Sequence, residues 1–193
     1  MFDYFEGQIT ELTPTYLVLE LNGIGYLLHI SINTYSALKA ESKERIFVHQ
    51  IIKEDAHLLY GFLSKKEREV FRLLISVSGI GSNTARMILS TLTPEETAQA
   101  IAKENVRALQ NIKGIGAKTA QRMIIELKDK MLKIQGFEQN SNSTNNTIIE
   151  EALSALVMLG FQKIQVEKAI SQILKEEKEL SVEELIKKAL KVL

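Results

Sequence analysis

Gly79-Ile80-Gly81-Ser82-Asn83-Thr84-Ala85 recurs 35 residues later as Gly114-Ile115-Gly116-Ala117-Lys118-Thr119-Ala120. Each copy follows an apolar helical run and opens another: Leu73-Leu74-Ile75 before and Met87-Ile88-Leu89 after the first, Leu109 and Ile112 before and Met123-Ile124-Ile125 after the second. Two glycines around one aliphatic residue permit a tight turn, because glycine tolerates positive φ and lets another backbone come close. Ile80 or Ile115 can then point into the core between two helices. The helix that follows offers free N–H groups and the positive end of its dipole, a receptacle for a phosphate oxygen. No side chain need touch a base, so such binding is indifferent to nucleotide sequence. A lone G-x-G is often just a helix connector with a C-cap glycine. Two copies of G-I-G-x-x-T-A argue for a shared task.

Charge points the same way. Residues 1–63 carry 4 Lys/Arg against 8 Asp/Glu, residues 64–134 carry 13 against 7, and residues 135–193 carry 7 against 9, so a neutral chain hides a basic middle. An anionic partner suits that middle segment; chance clustering on solvated helices is the plainer alternative. Other chemistries find little support. There is no cysteine, which excludes disulfides, thiolate metal sites and cysteine nucleophiles. No G-x-x-x-x-G-K-[ST] loop occurs, so no ATP site is expected. His29, His49 and His57 lie on expected strands at no metal-ligand spacing. No Ser–His–Asp arrangement can be argued. We therefore expect no catalytic residue, metal or cofactor.

The elements that must position the repeat follow from periodicity. Phe2–Ile9, Tyr16–Leu21, Ile24–Ile30, Ile46–Ile52 and His57–Phe62 read as strands, the second and third joined at Asn22-Gly23, a two-residue hairpin signal. Ile32–Ala40 fits a short helix or turn. Such strands in residues 1–63 suit a small barrel of the OB type. Ser64-Lys65-Lys66-Glu67 is an S-x-x-E capping pattern that opens a helix to about Val77, and Pro94 after Thr93 opens another, so residues 64–134 are several short helices. Residues 135–147, QGFEQNSNSTNNT, are too polar to offset the entropy of ordering and read as a flexible linker. Residues 148–193 carry three amphipathic helices, the first stopping at Gly160 and the last opened by the S-x-x-E box at Ser181. The fold class is α+β. Acidic residues interrupt MFDYFEGQITEL, so no signal peptide is read, no apolar run approaches a bilayer span, and a cytoplasmic location is expected.

G-I-G-x-x-T-A between helices resembles the helix-hairpin-helix motif of DNA-binding proteins that do not read sequence. The tandem pair follows a small barrel and Glu54-Asp55-Ala56-His57-Leu58-Leu59-Tyr60-Gly61-Phe62, and precedes a linker and a three-helix module with Ala155-Leu156-Val157-Met158-Leu159-Gly160-Phe161. That order of parts is similar to the RuvA family of Holliday-junction-binding proteins across nearly the whole chain. The resemblance implies a non-enzymatic homotetramer on four-way DNA junctions, with one or two tetramers on a junction, working with the RuvB motor ATPase and the RuvC resolvase in recombination and DNA repair. It carries phosphate binding onto Gly79, Gly81, Gly114 and Gly116, with Lys118 and Arg122 adding charge; Ser82 and Asn83 stand in the first hairpin where a basic residue is expected. It makes Glu54 and Asp55 an acidic pin at the crossover, although alone they are only a charged turn. It sends the C-terminal module to the motor, with Leu156, Leu159, Phe161 and Leu190 as the contact face or, equally, as the core of a tiny bundle. Two rivals stay open. Lys113 to Ala120 also resembles the hairpin of base-excision DNA glycosylases, where a lysine like Lys118 is the nucleophile, but position 136 is glycine where an aspartate is needed, and no large helical domain exists to hold a flipped base. An adaptor that uses the barrel to bind protein would leave the paired turns unexplained.

Overall fold

Asn22 and Gly23 both take positive φ, 50° and 83°, as a two-residue turn matching the strand twist requires. They join β2 (Tyr16–Leu21) to β3 (Ile24–His29). The computed structural model that contains this turn describes residues 1–139, 144–177 and 180–193. β1 runs Tyr4–Leu12, later than the expected Phe2–Ile9, because it serves two neighbours in succession. Its first half pairs with β4 (Lys43–Ile52) from Tyr4 to Gln8, and its second half pairs with β2 from Gln8 to Leu12. β5 (His57–Phe62) pairs antiparallel with β4 and meets β3 in parallel at His29 and Tyr60, which closes a barrel in the order β1-β2-β3-β5-β4. Alternate residues point inward, and Ile9, Leu17, Leu19, Leu28, Ile46 and Val48 are fully buried there.

The short helix α1 (Ile32–Ala37) follows Ser31, whose side chain caps it. Ser64 caps α2 (Lys65–Ile75) by accepting from Glu67 N at 3.0 Å, as the S-x-x-E spacing predicts. The Glu67 carboxylate turns inward. It accepts from the hydroxyls of Ser31 (2.9 Å) and Thr34 (2.8 Å) and from Leu63 N–H (3.2 Å). Burial pushes its carboxyl pKa up, against the lowering effect of those bonds. Phe71 of α2 packs on Tyr60 and Phe62 of the barrel at ring distances of 5.0 and 4.9 Å. Then follow α3 (Ser82–Thr91), α4 (Pro94–Ala102), α5 (Val106–Gln110) and α6 (Ala117–Gln139). Thr93 and Glu96 make the full reciprocal capping box at Pro94. These helices share one apolar core with Tyr60 and Phe62, so barrel and hairpins form one compact unit, Met1–Gly136.

Residues 137–193 form a second unit. Its helices α7 (Thr144–Met158), α8 (Lys163–Glu176) and α9 (Val182–Val192) enclose Ala152, Leu156, Val166, Ile170, Leu185 and Ala189. Gly160, with φ +102°, ends the first, and the reciprocal box of Ser181 and Glu184 opens the last. The expected linker over 135–147 lies partly outside the described residues. Helix α6 continues through Gln139 and α7 begins at Thr144; residues 140–143 lie outside the described residues.

Candidate nucleic-acid interface

The two glycine turns are near copies of each other. Gly79 has φ +93° and Gly114 has φ +91°, a region in which a Cβ is strained. Ile80 N–H donates to Val77 O at 3.0 Å, and Ile115 N–H donates to Ile112 O at 3.0 Å. Each isoleucine is buried, Ile80 4% and Ile115 5% exposed, and anchors its turn in the helical core. The second glycines differ in kind. Gly81 has an ordinary extended backbone, φ −84° and ψ 169°, and a Cβ built at Gly81 or Gly116 would meet nothing within 4 Å. Neither backbone strain nor internal packing requires glycine at Gly81. Open space beside a helix start is what a close-approaching partner would need.

Helix starts supply the donors. No side chain caps Gly81, and the first helical bond is Ala85 N–H to Gly81 O at 2.9 Å; Ala120 N–H to Gly116 O at 2.9 Å repeats it. The amides of Ser82, Asn83 and Thr84, and of Ala117, Lys118 and Thr119, therefore have no acceptor within their helices. Both ends face solvent, and helix dipoles add positive potential at each. Lys118 is exposed at the second turn. Arg122, also exposed, donates to Ser78 O of the first turn at 3.1 Å, so one cation bridges both hairpins. Among the described residues neither Lys118 nor Arg122 forms an ion pair, whereas Arg45, Arg68, Arg72 and Lys128 do. Unpaired cations next to free amides are disposed to hold an anion.

The first turn is built differently at its side chains. Asn83 is exposed and neutral. Ser82 Oγ accepts from Tyr60 O–H at 2.8 Å, a contact to the barrel that sequence reading did not anticipate. The Ser82 proton is still free to be donated outward. Glu54 and Asp55 are exposed at the tip of the β4–β5 turn, which Lys53 N–H to Ala56 O closes at 2.8 Å.

In the C-terminal unit the four apolar candidates separate. Leu156 is fully buried and Phe161 packs against the same core, while Leu159 and Leu190 are 63% and 44% exposed. Leu156 thus belongs to the bundle interior, the second of the two readings its sequence left open. Met158, Ile164 and Val192 are also exposed there, at 86%, 67% and 65%, and were missed because each flanks the expected apolar face. Among the described residues no cluster of His, Asp or Glu is placed to hold a metal, and no helix is long and apolar enough to cross a membrane.

A closed barrel of the OB type carrying two equivalent glycine turns at helix starts defines a tandem helix-hairpin-helix protein. Family models agree in order: RuvA N terminal domain matches residues 1–61, a SAM-like helix-hairpin-helix tandem matches 71–129, and RuvA, C-terminal domain matches 147–193. The chain belongs to the RuvA family. It is 52% identical to the Holliday junction branch migration complex subunit RuvA of Christiangramia forsetii over all of both chains. It is likewise 52% identical to that of Parabacteroides distasonis over all of both, and 48% identical to that of Bacteroides fragilis over 99% of each.

Proposed function

We propose that this chain is the junction-binding subunit of a branch-migration complex: as a homotetramer it holds a four-way DNA junction by its phosphates and presents it to a RuvB-type ATPase. The observation that carries the reading is the pair of matched turns. Gly81 and Gly116 leave open space beside unpartnered amides, and the same turns bear the unpaired Lys118 and Arg122. Such a surface takes phosphates and ignores bases, so its selectivity is for the shape of the DNA. Glu54 and Asp55, exposed at a turn tip, are assigned as the acidic pin. Brought together by four-fold symmetry, their carboxylates repel each other and the strands near the crossover. The exposed Leu159 and Leu190 are assigned to the motor contact. The subunit itself hydrolyses nothing; no phosphate-binding loop for ATP is in its sequence. A gel-shift comparison of a four-way junction with linear duplex of equal length tests this. Strong preference for the junction, whatever its sequence, is expected; equal binding to both would overturn it.

A further inference from the structure

The two hairpins are matched in backbone but not in charge, and Arg86 falls where the difference needs filling. The repeat offset of 35 residues sets neutral Asn83 opposite Lys118, Met87 opposite Arg122, and Arg86 opposite Gln121. Each hairpin helix therefore carries one arginine near its start, at adjacent, non-equivalent positions. Arg86 follows Ser82 and Asn83 by four and three positions, so all three share one face of α3. Its stem is half-buried, and one guanidinium nitrogen donates to Thr15 O in the β1–β2 turn at 2.8 Å. Among the described residues it has no ion pair. A guanidinium fixed by one nitrogen keeps other donors to offer. The group is thus a held charge with no ion-pair partner among the described residues, on a residue one helical turn from the open amides of α3. His29, on the neighbouring β3, reflects that charge: its pKa is lowered, first by burial and then by Arg86.

We propose that Arg86 is a phosphate-contacting residue of the first hairpin, supplying from one helical turn further on the positive charge that Lys118 supplies to the second. The barrel takes part by aiming it through Thr15. This rests on the hairpin reading above, and it deepens that reading by making the first hairpin a charged site.

The test measures binding of the full chain to a synthetic four-way junction across a series of salt concentrations. Arg86→Gln can still donate to Thr15 O but carries no charge. It is expected to lower the magnitude of the log K against log salt slope by about 0.9 for each phosphate it leaves unneutralised. Arg86→Lys is expected to keep the slope, and Asn83→Lys placed in the Arg86→Gln chain is expected to restore it. An unchanged slope for Arg86→Gln overturns the proposal. So does a lowered slope that Asn83→Lys cannot restore, because the arginine would then act through the barrel contact alone. Lys118→Ala is measured beside them. If it flattens the slope and Arg86→Gln does not, only the Arg86 assignment fails; if neither does, the hairpin reading fails with it.

Discussion

Replacing the two glycines of one turn separately should divide folding from binding. At Gly79 the backbone has φ +93°, so Gly79→Ala places a Cβ in a left-handed region although nothing crowds it. The cost is about 1–2 kcal/mol of stability. At Gly81 the backbone is extended and the Cβ would stand in open space. Gly81→Ala should therefore change stability by less than about 1 kcal/mol, since a stiffer unfolded chain offsets alanine's poorer fit to this N-cap position. Binding reverses the order of interest. A methyl at Gly81 projects where a phosphate must approach the α3 amides. Loss of one hydrogen bond to a charged group costs about 1.5–3 kcal/mol, which weakens junction binding roughly ten- to a hundredfold. Thermal melting and fluorescence-anisotropy titration of a labelled four-way junction read the two effects on the same samples. Gly116→Ala repeats the experiment at the second turn. The reasoning is refuted if Gly81→Ala melts like the parent and binds the junction undiminished, since the open space would then face no phosphate.

Glu54→Gln with Asp55→Asn removes the charge at the β4–β5 tip and should strengthen binding to plain duplex while leaving melting unchanged; equal duplex affinity would end the pin assignment. Leu159→Asp should abolish capture of a RuvB-type motor without unfolding the C-terminal unit, whereas Leu156→Ala should destabilise that unit by about 2–5 kcal/mol through a cavity; pull-down and calorimetry together separate the two. Because burial raises the Glu67 pKa in the folded state, the native protein holds that proton to higher pH than the unfolded chain does. Its contribution is therefore fullest at low pH and is lost as pH rises from the ordinary carboxylate value through the raised folded one. Denaturation of the parent and of Glu67→Gln at pH 4.5 and 7.5 should show the parent losing ground at the higher pH, and a constant difference would contradict this.

Local signals were legible in the sequence, and signals set by packing were not. Asn22-Gly23, Thr93-Pro94, Ser181 with Glu184, and the doubled glycine turn each specify a backbone conformation within a few residues, and each appears as expected. Leu156 and Leu159 show the limit. Leu156 lies in the last turn of α7 and Leu159 in the turn that follows it; their spacing alone puts both on one apolar face, and only the folded bundle encloses Leu156 and leaves Leu159 outside. Glu67 read as a capping residue, yet Ser31 and Thr34, more than thirty positions away, draw its carboxylate inward. Arg86 carried no signal in the sequence, since nothing local brings Thr15 beside it.

In the proposed reading, those long-range contacts turn two phosphate cups into a reader of shape. An isolated hairpin would hold any stretch of backbone, and two hairpins free to move would hold two unrelated stretches. Here Arg122 of the second ties to Ser78 O of the first, Ile80 and Ile115 anchor in one core, and Tyr60 holds Ser82 to the barrel. Phe71 packs against both Tyr60 and Phe62 and fastens that core to the sheet. The separation of the cups is thereby fixed before DNA arrives, so the entropy of arranging them is spent in folding rather than in binding. A duplex arm matches that separation only when its phosphates lie along the right path. Discrimination then comes from the geometry of the DNA, with no side chain required to reach a base edge.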